Sequence, residues 1–268
     1  MDASRYVIRG GVAGRERLRL LANVLRPTTR GLLERVGVAA RMNCIDVGCG
    51  GGDVSFELAG LVGPHGNVVG LDIDDVKLNL AREEAASRNL QNVTFRRVDI
   101  HDGDLREEFG VAYTRFLLTH LAAPAIALEK MCGAVRPDGL VVVEDIDFRG
   151  HFSHPESAAL TRYVDLYARV VQRRGGDPHI GPRLPGLLHD AGLEKIEVHV
   201  VQPVGMEGEI KLINPITLEN IADSVVEDGL ATRDEVSAII AELYAFARTP
   251  NTLVSLPRIV QAWGVKRM

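Results

Sequence analysis

The sequence predicts an α/β fold: a mostly parallel β-sheet with helices on both faces, followed by helical insertions late in the chain. Three observations predict it. Apolar, β-branched runs alternate with stretches of helical period from residue 43 to residue 146, as expected when parallel strands are joined by crossover helices. Glycines cluster where the first strand would pass into its helix, at Gly48, Gly50, Gly51 and Gly52. After residue 146 the rhythm changes to longer helical stretches before two more strand-like runs.

Residues 14–37 read as two amphipathic helices, with Leu18, Leu21, Ala22 and Leu25 on one stripe, Leu32, Leu33 and Val36 on the next, and Pro27 opening the second. The first strand covers 43–47 and a helix 54–61. Pro64-His65-Gly66-Asn67 turns the chain into a second strand at 68–72. Asp74 and Asp75 cap a helix carrying Val76, Leu78, Leu80, Ala81 and Ala85, which ends near Asn89. A third strand at 93–98 closes on Asp99, and a fourth covers 111–116. A helix over 124–135 stops at Arg136-Pro137-Asp138-Gly139, and 140–146 is a buried fifth strand.

Beyond it lie a helix over 156–174, the segment Gly181-Pro182-Arg183-Leu184-Pro185, a short helix to Ala191 and a strand at 195–201. A largely helical stretch over 206–250 has stripes at Leu218, Ile221, Ala222 and Val225, then Val236, Ile239, Ile240 and Leu243. Residues 252–265 form a last strand. The expected organisation is a single domain over 1–268 with an N-terminal helical cap at 1–40. Insertions at 148–180 and 206–250 would form a substrate lid over the carboxyl ends of the strands.

The 268 residues are 46% hydrophobic and 25% charged, enough for a sizeable core. A net charge of −5 argues against a nucleic-acid surface, and Arg96-Arg97 and Arg173-Arg174 read as solvated faces. No apolar run approaches a membrane span, and the first ten residues lack a signal-peptide core, so the expectation is a cytoplasmic protein without a membrane partner. Cys44, Cys49 and Cys132 form neither a disulfide framework nor a zinc pattern.

The chemistry is carried by Asp46-Val47-Gly48-Cys49-Gly50-Gly51-Gly52-Asp53, and by Asp72 at the end of the second strand. Glycines let a ligand lie on the backbone and on the N–H groups of the next helix. Asp46 beside that turn would repel a pyrophosphate and favour an ammonium or sulfonium, which points to S-adenosylmethionine. A nicotinamide or flavin fingerprint needs glycine at positions one, three and six. Counted from Gly48, Asp53 stands sixth; counted from Gly50, Ser55 does.

With these residues in place, the chain resembles the class I S-adenosylmethionine-dependent methyltransferases, most specifically over 43–147. The resemblance implies a Rossmann-like sheet of seven strands with the last one antiparallel. It also implies a cofactor site of Asp46, Gly48, Cys49, Gly50, Asp72, Ile73, Asp99, Ile100 and Arg115, with S-adenosylhomocysteine as product. Asp72 would hold the two ribose hydroxyls; Asp99 and the Ile100 N–H would meet the adenine. Tyr113-Thr114-Arg115-Phe116-Leu117-Leu118-Thr119-His120-Leu121 is similar to the small-molecule branch of bacterial secondary metabolism. One position departs: where that branch commonly has an acid before the fourth strand, this chain has Gly110, which removes a contact to the methionine amino group or only alters a turn.

A sulfonium is already activated, so the protein mainly aligns nucleophile, methyl and sulfur. A base would assist a hydroxyl acceptor. His120, just past the fourth strand, and His151 or His154, after the fifth, are the candidates, each with a hydrogen-bonded structural role as the alternative. Glu144, Asp145, Asp147, His151 and His154 carry enough donors for magnesium, but strand alternation sends Glu144 and Asp145 to opposite faces, so no metal site is expected and substrate or amine contacts are favoured. Arg115 would pair with a cofactor or substrate carboxylate or with a nearby acid. Arg183 would brace the lid or meet substrate, Tyr163 and Tyr167 would line pocket or core, and Trp263 would be core. The expected activity is methyl transfer to a small organic molecule, with oxygen as the favoured acceptor atom. Its rivals are adenosyl binding without transfer, an NAD(P)-dependent oxidoreductase and a protein methyltransferase. The sequence leaves open whether the inserted helices make a homodimer.

Overall fold

A computed structural model describes residues 11–101, 103, 105 and 109–267 of the chain, with side chains from Arg17 onward. The first strand, β1 (Asn43–Val47), pairs in parallel with β2 (Asn67–Asp72) on one side and β4 (Phe109–Arg115) on the other. Strand β3 (Val93–Arg97) lies beyond β2, and β5 (Val135–Asp147) beyond β4. The last strand, β10 (Arg258–Lys266), enters antiparallel between β5 and β7 (Leu193–Val201). The order is thus β3-β2-β1-β4-β5-β10-β7, the seven-stranded, mostly parallel sheet expected from the sequence.

Strand alternation builds the two faces. Cys44, Val68, Val111, Val142 and Trp263 face one side, where α2 (Asp53–Val62) and α3 (Asp75–Ser87) pack. Their neighbours Ile45, Val69, Ala112 and Val143 face the other, against α4 (Pro124–Ala134) and α6 (Leu184–Asp190). A third apolar cluster sits past the strand ends. It joins α1 (Gly11–Arg35), α5 (Ala158–Arg173), α7 (Ile213–Glu227) and α8 (Arg233–Arg248) around Leu25, Phe148, Leu166 and Leu218. Among the described residues no helix is long and apolar enough to cross a membrane.

Several elements depart from the sequence reading. The stretch expected as two helices over 14–37 is one, α1, which ends at Arg35 and has Pro27 inside it. Leu25 and Leu32 stay buried across the proline, and Thr28 donates to the Leu25 carbonyl at 2.9 Å. The expected turn at Arg136–Gly139 lies inside β5, where Asp138 takes a positive φ of 62° and the register with β4 shifts. The expected final strand is two: β9 (Leu253–Ser255) ends before Pro257, and β10 begins after it. With β6 (Ser153–His154) and β8 (Val204–Gly205), β9 forms a second small sheet that the sequence reading lacks.

The sheet interior holds a polar chain. Tyr113 Oη donates to Glu144 at 2.5 Å, and Gln261 Nε2 donates to the other Glu144 oxygen at 2.8 Å and to the Thr28 carbonyl at 3.3 Å. The network joins β4, β5, β10 and α1. A phenylalanine at 113 would leave the carboxylate short of one donor, so Tyr113→Phe should lower the unfolding free energy by about 2 kcal/mol. A urea midpoint moved by that amount at unchanged slope checks it; an unmoved midpoint would assign the bond no weight.

Candidate functional site

A cavity of about 660 Å³ opens over the carboxyl ends of β1, β2, β4 and β5 and runs up to α1, α5 and α7. Its lower half is the glycine turn. Gly48, Gly50 and Gly52 take positive φ of 72°, 54° and 82°, a conformation that side chains other than glycine adopt at a cost. A Cβ at Gly48 would stand 3.1 Å from Leu117, and one at Gly50 would stand 3.2 Å from Leu18 on α1.

Asp72 fixes the turn. Its Oδ2 accepts the Gly50 N–H at 2.8 Å and its Oδ1 accepts the Asp74 N–H at 2.9 Å, while the Cys49 N–H donates to the Leu71 carbonyl at 2.8 Å. Asp46 is buried and accepts from Ser55 at 2.6 Å. Burial pushes its carboxyl up to about 6; the Ser55 bond and Arg115 oppose that, and Asp72 and Asp53 add to it. Asp53 opens α2, which places a carboxylate at the helix end where a pyrophosphate would otherwise be favoured.

The remaining expected cofactor residues line the same cavity: Ile73, Asp99, Ile100 and Arg115. Asp99 accepts the His101 N–H at 3.0 Å. Arg115 donates to Thr29 at 3.0 Å and stands over the Phe116 ring at 5.7 Å. Phe116 itself carries a positive φ of 56°, and its N–H donates to the Glu144 carbonyl at 2.9 Å. This is backbone strain at a cavity wall, held in place by the strand beside it. The departure at Gly110 falls elsewhere. Its position faces the Asn43 carbonyl at the amino end of β1, a strand length from the cavity, so it cannot bear on a methionine amino group.

The upper half is aromatic. The Phe148 and Tyr167 rings stack at 3.9 Å and 12°, and Tyr163 meets Phe148 edge-on at 5.7 Å. All three line the cavity with His120, which stands in a 3-10 turn at Leu118–His120. Burial first, then the charges of Arg17 and Lys77, push the His120 imidazole down to about 3, so it is neutral at physiological pH.

His151 is not on the cavity wall. Its ring packs against Phe148 at 4.4 Å and its Nδ1 meets the Phe148 carbonyl at 2.9 Å, so the aromatic layer stands between it and the space. His154 is exposed on β6. Glu144 is spent on Tyr113 and Gln261, and Asp145 on the N–H groups of Thr119 and Ile146 at 3.1 and 2.8 Å; neither lines the cavity. Arg183 pairs with Asp177 at 2.6 Å, and Trp263 is core. The sequence reading missed Arg17, Leu18, Lys77, Phe116 and Asn220 on the wall. For Arg17 a signal existed: it stands one turn before Leu21 and two before Leu25, on the buried stripe of α1.

A family model described as a methyltransferase domain matches residues 39–174. Nocamycin O-methyltransferase of Saccharothrix syringae is 44% identical over 71 residues, 26% of this chain and 25% of that protein. Methyltransferase str2 of Strobilurus tenacellus is 26% identical over 203 residues, 74% of this chain and 64% of that protein. The matches therefore span less than two thirds of these relatives. Among solved structures, the YcgJ protein of Bacillus subtilis shares the fold with a TM-score of 0.60 at 16% identity, covering 90% of this chain and 99% of that one. The [4+2]-cyclase SpnF shares it at 0.54 and 18%, covering 90% and 80%.

Two outcomes check the geometry. Asp72→Asn offers one acceptor oxygen where two N–H groups need one each, so it should cost about 1–3 kcal/mol of stability, read by urea unfolding; an unchanged midpoint contradicts the latch. His120 has a depressed folded pKa. Above pH 6.5 it is neutral folded and unfolded; as pH falls toward 3 only the unfolded chain takes the proton, and stability is lost. Between pH 6.5 and 5 the wild type should lose about 1.5 kcal/mol more than His120→Gln; equal losses would place the imidazole in water.

Proposed function

The chain belongs to the methyltransferase domain family, and from that premise we propose that it transfers a methyl group from S-adenosylmethionine to a small organic acceptor, with oxygen as the acceptor atom. One observation carries the reading: a single cavity joins the bare glycine turn, with Asp46 and Asp72 beside it, to an aromatic chamber holding His120. The residues present suit that donor. The glycine turn is a cradle that a Cβ would fill, and the acids at Asp46, Asp72 and Asp99 suit a cation and hydroxyl groups better than phosphates. The name of the Saccharothrix relative, an O-methyltransferase, supports oxygen.

Bound there, the sulfonium supplies an electrophilic methyl carbon. The chain's residues supply alignment. Asp72 would hold the ribose hydroxyls while keeping Gly50 in place, Asp99 and the Ile100 N–H would meet the adenine, and Gly48, Cys49, Ile73 and Arg115 would complete the site. Phe148, Tyr163 and Tyr167 would shape the acceptor's seat and exclude water. His120, neutral and weakly basic, would accept a hydrogen bond from the acceptor hydroxyl and orient it rather than strip its proton beforehand. The segments 148–180 and 206–250 would act as the lid and 1–40 as the cap of one domain; residues 1–10 lie outside the described residues. A second reading, adenosyl binding without methyl transfer, draws on the low basicity of His120.

Calorimetric titration with S-adenosylmethionine and S-adenosylhomocysteine, with NAD as control, tests the donor. Dissociation constants of about micromolar are expected for the adenosyl ligands alone; binding of NAD instead would overturn the reading. Gly50→Val should abolish adenosyl binding, since it places a branched side chain in the cradle at a positive φ; unaltered affinity would put the ligand elsewhere. Methyl transfer to any member of a panel of phenols and alcohols separates the two readings.

A further inference from the structure

The cavity holds a buried cation without a counter-charge among the described residues. Arg17 on α1 is 7% exposed and lines the wall. Its Nε donates to Thr217 Oγ1 of α7 at 3.0 Å, and Thr217 directs its own proton to the Ile213 carbonyl at 2.6 Å. The hydroxyl oxygen is thereby held as an acceptor, which fixes the plane of the guanidinium. Three other cations of the wall are placed differently: Lys77 reaches Asp74 at 3.5 Å, Arg97 reaches Asp75 at 3.2 Å, and Arg115 feels Asp46. For Arg17 no described carboxylate stands within ion-pair distance, and its Nη groups meet no described acceptor. With so little exposure and no paired acid, the guanidinium keeps its free edge for the cavity, and the planar fork it offers matches a carboxylate.

We infer that Arg17 is a carboxylate anchor, and that the acceptor is a small acid whose apolar or aromatic body rests on Phe148, Tyr163 and Tyr167. The inference rests on the methyl-transfer reading for the word acceptor. Its position favours the acceptor's carboxylate over the donor's. The charge of Arg17 is felt by His120 and Tyr163 in the aromatic half, whereas Leu18 stands at Gly50 and Arg115 beside Asp46 in the glycine half.

The test compares wild type, Arg17→Gln and Arg17→Lys, each loaded with S-adenosylhomocysteine, in calorimetric titrations with 4-hydroxybenzoate and phenylacetate beside their neutral amides. The wild type should bind at least one acid about tenfold more tightly than its amide. Arg17→Gln should lose that preference and Arg17→Lys keep part of it, with affinities for S-adenosylhomocysteine and 5′-methylthioadenosine unchanged. If Arg17→Gln weakens S-adenosylhomocysteine about tenfold but not methylthioadenosine, the carboxylate is the donor's and the acceptor assignment is overturned. A wild type with no preference for either acid overturns the anchor without recourse to variants. A wild type that binds no adenosyl ligand overturns the donor reading alone, and the acid–amide comparison on the ligand-free protein still decides Arg17.

Discussion

The site depends on one carboxylate doing two things. Asp72 ends β2 and accepts the N–H groups of Gly50 and Asp74, so the turn after one strand and the start of the next helix share a single acceptor. The glycines alone would not hold the turn: three residues at positive φ are entropically expensive to order. With the latch closed, Leu71 receives the Cys49 N–H, and α2 starts at a fixed angle from β1. The parallel pairing of β1 and β2 brings the two partners level.

Much of this was legible in the sequence because it is local and periodic. The alternation of buried runs and helical stripes gave β1 to β5 and the helices between them, and Asp46, the glycines and Asp72 carried their own chemical reason. Where the reading failed, long-range packing decided. Pro27 does not end α1, because the apolar stripe on either side of it remains buried against the same core. Strands of two residues have no period to detect, so β6 and β8 left no trace and β9 was read as the start of the last strand. The missing acid at Gly110 looked relevant to the cofactor by resemblance of position alone, and Gly110 lies at the opposite end of its strand. His151 was near the site in sequence yet stands behind Phe148.

The polar groups of the interior divide into two kinds. Glu144, Asp145 and Gln261 are buried and satisfied, tying strands to one another and to α1. Along the cavity, polar groups are pinned at one end and open at the other: Asp46 by Ser55, Arg17 by Thr217. Pinning of that type costs rotational freedom in advance, so less is lost when a ligand arrives. The left-handed Phe116 belongs with them, since only its bond to the β5 backbone and the packing around it hold it there.

Arg17 and Thr217 lie 200 residues apart in the chain. Most of the glycine half of the cavity is written between residues 46 and 100, whereas the far wall of the aromatic half is closed by α1, α5 and α7. A gene with that layout can redraft part of its specificity wall by changing the stretches for α1 and α7 while residues 46–100 go untouched. During synthesis the two halves also mature at different moments: the glycine half can form as soon as its strands pair, whereas the closure of the wall waits for α7 to leave the ribosome.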